Sequence, residues 1–380
     1  MSQITQAPDQ PRETPGRSGE PRPESRPESP PPAPGRAGEA PGRPAPAPRK
    51  TRDPLLDNVK FLAIILVVAG HLIEDLRDQP VARAIYLFIY SFHMPVFIIV
   101  AGYLSRGWSF SGGKARKLIT NIAVPYAIFE TAYSVFSRVV GGANTKITLL
   151  DPHFLTWFLI SLFAWRLSTP VWQQLRWPLP IAVIIAILSG MNELARELDM
   201  NRILGLLPFY VLGLTLRREH FELLKRPIAR IAGWVVLAGA FGAVALFHKR
   251  LDGEWVYWRH GNAHLDVSDL KGSAIRLALY VGATVLAAAF IAVVPRRQTW
   301  FTPLGAATLY AYLLHGFLMK FLEYRDWTQA AMLDTVPGVL AMMVVGFIVS
   351  TVLCTEPVRK LFGWAVEPKM RWAFTRLRRY

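Results

Sequence analysis

Residues 57–71 read DNVKFLAIILVVAGH. The apolar run has the composition of a membrane helix, yet a lysine opens it and a histidine sits deep inside it. An ionisable side chain is costly in hydrocarbon and persists there where it has a partner or a function. Lys60 and His71 are eleven positions apart, which returns them to one helical face about three turns, or ~16 Å, from each other. Asp57 stands one turn before Lys60, and Glu74 and Asp75 stand one turn after His71. One face thus offers a cation at its first end and a carboxylate–histidine pair, with Glu74 or Asp75 as the acid, at its last. A neutral imidazole oriented by a carboxylate is a general base for a hydroxyl proton. The bland alternative is a histidine bonded to a neighbouring helix.

Beyond that stretch, apolar runs recur from about residue 59 to residue 354, with basic residues in short patches between them. That pattern predicts an all-α, polytopic membrane helix bundle. A net charge of +16 alone would suit a nucleic-acid binder, but with 52% hydrophobic residues spaced in this way the expected partner is a bilayer. Ten candidate spans are read at 58–74, 84–105, 118–137, 154–168, 178–191, 203–216, 229–247, 274–294, 304–321 and 335–354. Several, notably 154–168 and 178–191, are short for a perpendicular crossing, as tilted or partly buried helices around a cavity would be. Lys and Arg crowd the segments 106–117, 217–230 and 296–297 and the C-terminal tail, whereas acids such as Asp78, Glu193, Asp199, Asp252, Glu254 and Asp326 interleave with the bases of the alternate loops. The positive-inside rule then places both termini in the cytoplasm of a multi-pass cell-membrane protein.

The segment 1–53 is different material. It holds almost half of the 29 prolines and no Leu, Val, Phe, Trp or Tyr, so it is expected to be a disordered Pro/Arg-rich cytoplasmic arm. A transmembrane domain is expected over 54–358 and a basic cytoplasmic tail over 359–380. The single cysteine, Cys354, excludes internal disulfides, and no metal-ligand spacing is present, so no metal is assigned.

The second span, YLFIYSFHMPVFIIVAGYLSR (86–106), carries His93 two residues before Pro95. A proline inside a span frees a carbonyl, which is tolerated against protein or a polar cavity. A second intramembrane histidine near the depth of His71 suggests two helices facing one site. His315, in LYAYLLHGF, is a third, and either joins that site or packs against it. The basic loop GWSFSGGKARK (107–117) offers Lys114, Arg116 and Lys117, with nearby Arg106, as phosphate partners; alternatively these cations only set topology.

Six blocks in order resemble the acyltransferase-3 family of integral-membrane acyltransferases, in the group similar to fucose 4-O-acetylase. They are LLDNVKFLAIILVVAGH (55–71), IYSFHMPVFIIVAGYLSR (89–106), VPYAIFE (124–130), HFLTWFLISLFAWRL (153–167), LPFYVLGLTLRR (207–218) and LGAATLYAYLLHG (304–316). A basic residue followed eleven positions later by histidine is the family's hallmark. The resemblance implies transfer of an acyl group, usually acetyl, from cytoplasmic acyl-CoA, a co-substrate with no tightly bound cofactor, to a hydroxyl of a sugar, glycolipid or similar acceptor. It implies catalysis by His71 with Lys60, Asp75 and His93. Donor binding would fall to Tyr103, Arg106, Lys114, Arg116 and Lys117, and the lining to Asp57, Glu74, Pro95, Gly102, Trp157 and His315. Ala101 stands where the family's Ser-Gly-Tyr block commonly has serine, which argues against a serine nucleophile there. The chain ends soon after the tenth span, so transfer straight to the acceptor is expected, without a relay through an appended extracytoplasmic domain. Two other classes share the helix pattern: a transporter or flippase relaying protons through its histidines, and a membrane scaffold. Release of free thiol from acyl-CoA separates the enzyme from both.

Overall fold

A computed structural model describes residues 53–144, 146–192 and 197–374. Apart from Asp53, the expected N-terminal arm lies outside the described residues, as do Glu193 and the end of the basic tail. The described residues are helical, with no strand among them. The helices are α1 Pro54–Leu72, α2 Pro80–Tyr90, α3 His93–Ser105, α4 Gly112–Leu118, α5 Val124–Val139, α6 Trp157–Gln174, α7 Pro178–Gly190, α8 Met200–Gly205, α9 Leu207–Thr215, α10 Arg218–Leu224, α11 Pro227–Phe247, α12 Glu254–Tyr257, α13 Asp269–Val293, α14 Thr308–Tyr324, α15 Val336–Leu353 and α16 Glu356–Val366. Five helical stretches are long and apolar enough to cross a membrane by themselves: 54–72, 80–105, 227–247, 269–293 and 336–353.

Prolines account for most departures from the expected spans. Pro95 has no N–H for the Ser91 carbonyl, and the second span breaks at Ser91 and Phe92, giving α2 and α3. A π-helical turn over Ile119–Ala123 precedes Pro125, and Leu206 interrupts the sixth span two residues before Pro208. Prolines also open α1, α2, α7, α11, α15 and α16 in the first turn, where a missing N–H costs nothing.

Helix α1 is the axis of the bundle. Asp53 caps it through the Leu55 N–H at 3.0 Å, and most of its residues are buried all round. A helix apolar on every face belongs inside a bundle rather than at a water boundary. In contrast α11 and α15 turn large apolar side chains outward, among them Trp234, Val235, Val344 and Ile348. Such a surface suits contact with lipid. Close approach is made by glycine: a Cβ on Gly102 of α3 would fall onto the Tyr210 carbonyl oxygen of α9, and one on Gly213 of α9 would fall onto the Ile99 carbonyl oxygen of α3. Gly102 is therefore a packing residue at a backbone-to-backbone contact.

The loops sort between the two ends of α1. At the Lys60 end, Asn58 donates to the Pro295 and Arg297 carbonyls at 2.8 and 3.0 Å, and Lys225 meets Asp53 at 3.5 Å. Arg106 donates to the Leu216 carbonyl at 2.8 Å, and Arg116 lies over the Phe374 ring. At the His71 end, Arg77 donates to the Tyr257 hydroxyl at 2.9 Å, Arg83 to the carbonyls of His248 and Leu251, and Asn201 to that of Arg259.

Candidate active site

Where α1 ends, the chain turns through a short 3-10 helix, Glu74–Leu76. That turn decides which carboxylate meets the histidine. Glu74 folds back and its Oε2 lies 3.0 Å from His71 Nδ1, whereas Asp75, the expected partner, points to solvent. Tyr86 donates to the other oxygen of Glu74 at 3.1 Å and contacts the Tyr257 hydroxyl at 2.7 Å. Arg77 donates to the Glu74 carbonyl at 2.6 Å and lies over the Tyr86 ring. Burial alone would raise the Glu74 carboxyl, but its hydrogen bond and charge interaction with His71, the charge of Arg77 and the Tyr86 hydroxyl together hold it below its ordinary value. The carboxylate is thus ionised at neutral pH and fixed on both oxygens.

His71 sits in a wall of rings. Tyr90 places its hydroxyl 3.0 Å from the same Nδ1, and Tyr86 stacks on Tyr90 at 3.9 Å between centroids. On other sides lie Phe154 at 5.3 Å and His315 at 5.5 Å. Phe154 has a left-handed backbone (φ 54°), costly for an aromatic residue and held here by a clamp on either side of it. Buried Glu130 of α5 accepts from the His153 N–H at 2.8 Å and from the Thr156 hydroxyl, while Tyr312 donates to the Leu155 carbonyl. Two of the blocks read from the sequence, 124–130 and 153–167, therefore meet to seat one ring on His71.

A cavity of about 540 Å³ opens beside this histidine. His71, Glu74, Tyr90, His93 and Trp157 line its wall, joined by Arg202 of α8, Tyr257 of α12 and, just beyond α12, Arg259 and His260. Arg202 is fixed by Asp199 at 2.6 Å and lies 4.8 Å above the Trp157 ring. Aromatic faces beside fixed polar groups suit a polar organic ligand.

The histidines differ in how Nδ1 is used. His93 and His315 each meet the backbone carbonyl four residues back, Ile89 at 2.9 Å and Ala311 at 2.7 Å. The carbonyl can only accept, so Nδ1 carries the proton in both. By the same logic His71 donates Nδ1–H to Glu74 Oε2 and leaves the Nε2 lone pair for chemistry.

The structure brings His71, His93, His315, Glu74 and Trp157 together and leaves the other expected site residues elsewhere. Lys60 pairs with Asp57 at 2.8 Å at the far end of α1. Pro95 acts on the backbone. Tyr103 carries Arg106 on its ring, at 3.8 Å, and Arg106 also donates to the Tyr103 carbonyl. Lys114 donates to the Gly107 carbonyl and the Ser109 hydroxyl, and Lys117 is exposed. None of these inner-loop cations lines the His71 cavity. Sequence reasoning missed Tyr86, Tyr90, Phe154, Arg202 and Tyr257. The i, i+4 tyrosines in an otherwise apolar helix were the one available signal.

The family profile of an acyltransferase domain matches residues 53–355. The chain belongs to the acyltransferase-3 family. It is thus a membrane acyltransferase, and the transporter and scaffold readings give way. The acyltransferase is 25% identical over 311 residues to the nodulation protein NolL of Sinorhizobium fredii (strain NBRC 101917 / NGR234), covering 72% of this chain and 79% of that relative. A shorter match, 38% identical over 80 residues, is to the nodulation protein NolL of Mesorhizobium japonicum (strain LMG 29417 / CECT 9101 / MAFF 303099), covering 19% of this chain and 20% of the relative. No solved structure matches the acyltransferase.

Proposed function

We propose that this acyltransferase moves an acetyl or other short acyl group from cytoplasmic acyl-CoA to a hydroxyl of a sugar, glycolipid or related acceptor. The sorting of loops between the two ends of α1 supports ten crossings of the cell membrane, with both termini and the Lys60 end in the cytoplasm. The His71 cavity then faces outward and receives the acceptor. His71 Nε2 takes the hydroxyl proton as the oxygen attacks the thioester carbonyl. The new C–O bond forms, the C–S bond breaks, and the proton held on His71 returns to the departing thiolate. Glu74 orients the ring and offsets the positive charge that develops on it.

The observation that carries this reading is the 3.0 Å contact between His71 Nδ1 and Glu74 Oε2 on the cavity wall. The test is thiol release from acetyl-CoA by the purified full chain. Mass spectrometry of surface glycans and glycolipids from cells with and without the protein then reads the acceptor. Release of thiol with appearance of one acetyl increment on a glycan is expected. An enzyme that releases no thiol with any short acyl-CoA would overturn the proposal.

A further inference from the structure

A second cavity, of about 580 Å³, lies at the other end of the bundle between the start of α14 and helix α16. Its place is fixed by the junction that seats α1. Thr302 donates to Asn58 at 2.7 Å, and a Cβ on Gly305 would strike the Asp57 carbonyl, so the segment before α14 is pressed against the first turn of α1. Tyr310, in the first turn of α14, then reaches the far wall of the cavity and donates to Glu367 Oε2 at 3.1 Å. Helix α16 begins three residues after α15 ends and supplies most of the remaining lining.

The chemistry of that lining is specific. Arg359, Lys360 and Lys369 face Glu356 and Glu367, three cations against two carboxylates. Both carboxylates already have partners in the protein, Glu356 with Lys360 at 3.1 Å and Glu367 with Tyr310. Trp364 shares the cavity with an indole 70% exposed. Guanidinium and ammonium groups beside an open aromatic face match a ligand carrying phosphates and a flat heterocycle. Of the inner-loop cations that the sequence favoured for this task, Arg106 and Lys114 are occupied with backbone carbonyls of their own neighbourhood, Arg116 lies over Phe374 and Lys117 is exposed.

We infer that this cavity binds the phosphoadenosine end of coenzyme A, with Trp364 stacking on the adenine and Arg359 and Lys369 pairing with phosphates. The inference rests on the acyl-CoA reading above. It separates the donor's two ends: the nucleotide is held at the Lys60 end, and the thioester end is the part that has to reach His71.

The phosphate chemistry could also come from an anionic lipid headgroup, and the experiment distinguishes the two. Full-length protein in zwitterionic nanodiscs is titrated with coenzyme A, with adenosine 3′,5′-bisphosphate as competitor. Arg359→Ala/Lys369→Ala and Trp364→Ala are each expected to weaken coenzyme A about ten- to hundredfold. Each should raise the KM for acetyl-CoA while kcat at saturation holds, and Trp364→Phe should recover most of the lost affinity. The substituted side chains are exposed, so unchanged melting temperatures are expected and serve as the folding control. Wild-type affinity in both variants, with thiol release intact, would overturn this inference and leave the acyl-CoA reading standing. Wild-type protein that neither binds coenzyme A nor releases thiol would overturn both. Variants that keep coenzyme A affinity but lose retention on phosphatidylglycerol vesicles would make the cavity a lipid site and overturn the inference alone.

Discussion

Replacing Glu74 by glutamine tests the centre of the proposed mechanism with almost no change in shape. In the acyltransferase the carboxylate accepts from His71 Nδ1 at 3.0 Å and from Tyr86 at 3.1 Å. Loss of one hydrogen bond to a charged partner costs about 1.5–3 kcal/mol. If that loss fell wholly in the transition state, it would slow transfer by about 10–150-fold. A second effect adds to it. The glutamine amide can offer its NH2 to Nδ1, which moves the imidazole proton to Nε2 and removes the base. In hydrolases of comparable geometry this change costs about 10⁴ in rate. Glu74→Gln is therefore expected to lower single-turnover transfer by between ~10² and ~10⁴, while Asp75→Asn, at an exposed site, stays close to wild type. Rapid-quench measurement with labelled acetyl-CoA in nanodiscs reads both. Equal losses in the two variants, or full activity in Glu74→Gln, would refute the assignment.

Four further outcomes follow from the same geometry. His71→Ala should lose ~10²–10⁴ in single-turnover rate yet insert normally and bind coenzyme A, read by quench kinetics and equilibrium binding. Lys60→Ala removes one partner of the Asp57 carboxylate and should lower the unfolding free energy by about 1–3 kcal/mol, whereas Lys60→Arg should hold most of it, read by denaturation in detergent. Because the folded-state carboxyl of Glu74 lies below its ordinary value of 4.5, its contribution to stability should be full above that pH and fade as pH falls through the folded value. The stability difference between wild type and Glu74→Gln against pH measures this, and a difference that grew towards acid would contradict it. Gly102→Ala drives a methyl onto the Tyr210 carbonyl and should cost about 1–3 kcal/mol, visible as a lowered melting temperature.

The helices were legible because each apolar run announces itself and proline marks many of its ends. What resisted was the interior of a run. That the second span is two helices follows from Pro95 only once the Ser91 carbonyl is seen to lack its donor, and the π-turn before Pro125 has no sequence signature of its own. At the site, local spacing was enough for His71 to find an acid one turn on. It could not choose between Glu74 and Asp75, because the choice depends on how the chain leaves α1. Phe154, Arg202 and Tyr257 come from segments distant in sequence, and their arrival is a property of the whole bundle. Two of the inner-loop cations looked free in sequence for a related reason: in space Arg106 and Lys114 donate to carbonyls of their own neighbourhood.

The surroundings of the three clustered histidines favour His71 as the proposed base. His93 and His315 spend Nδ1–H on the carbonyl four residues back, a neutral acceptor that gives an imidazolium little support in a dry interior. Protonating either would place an uncompensated charge beside the other rings. His71 alone spends Nδ1–H on a carboxylate, so a proton gained at Nε2 would be matched by a charge already fixed by Tyr86. The neighbouring imidazoles cannot take that proton at similar cost. The proposed reaction therefore has one place to store it, at the cavity wall, until the departing thiolate takes it back.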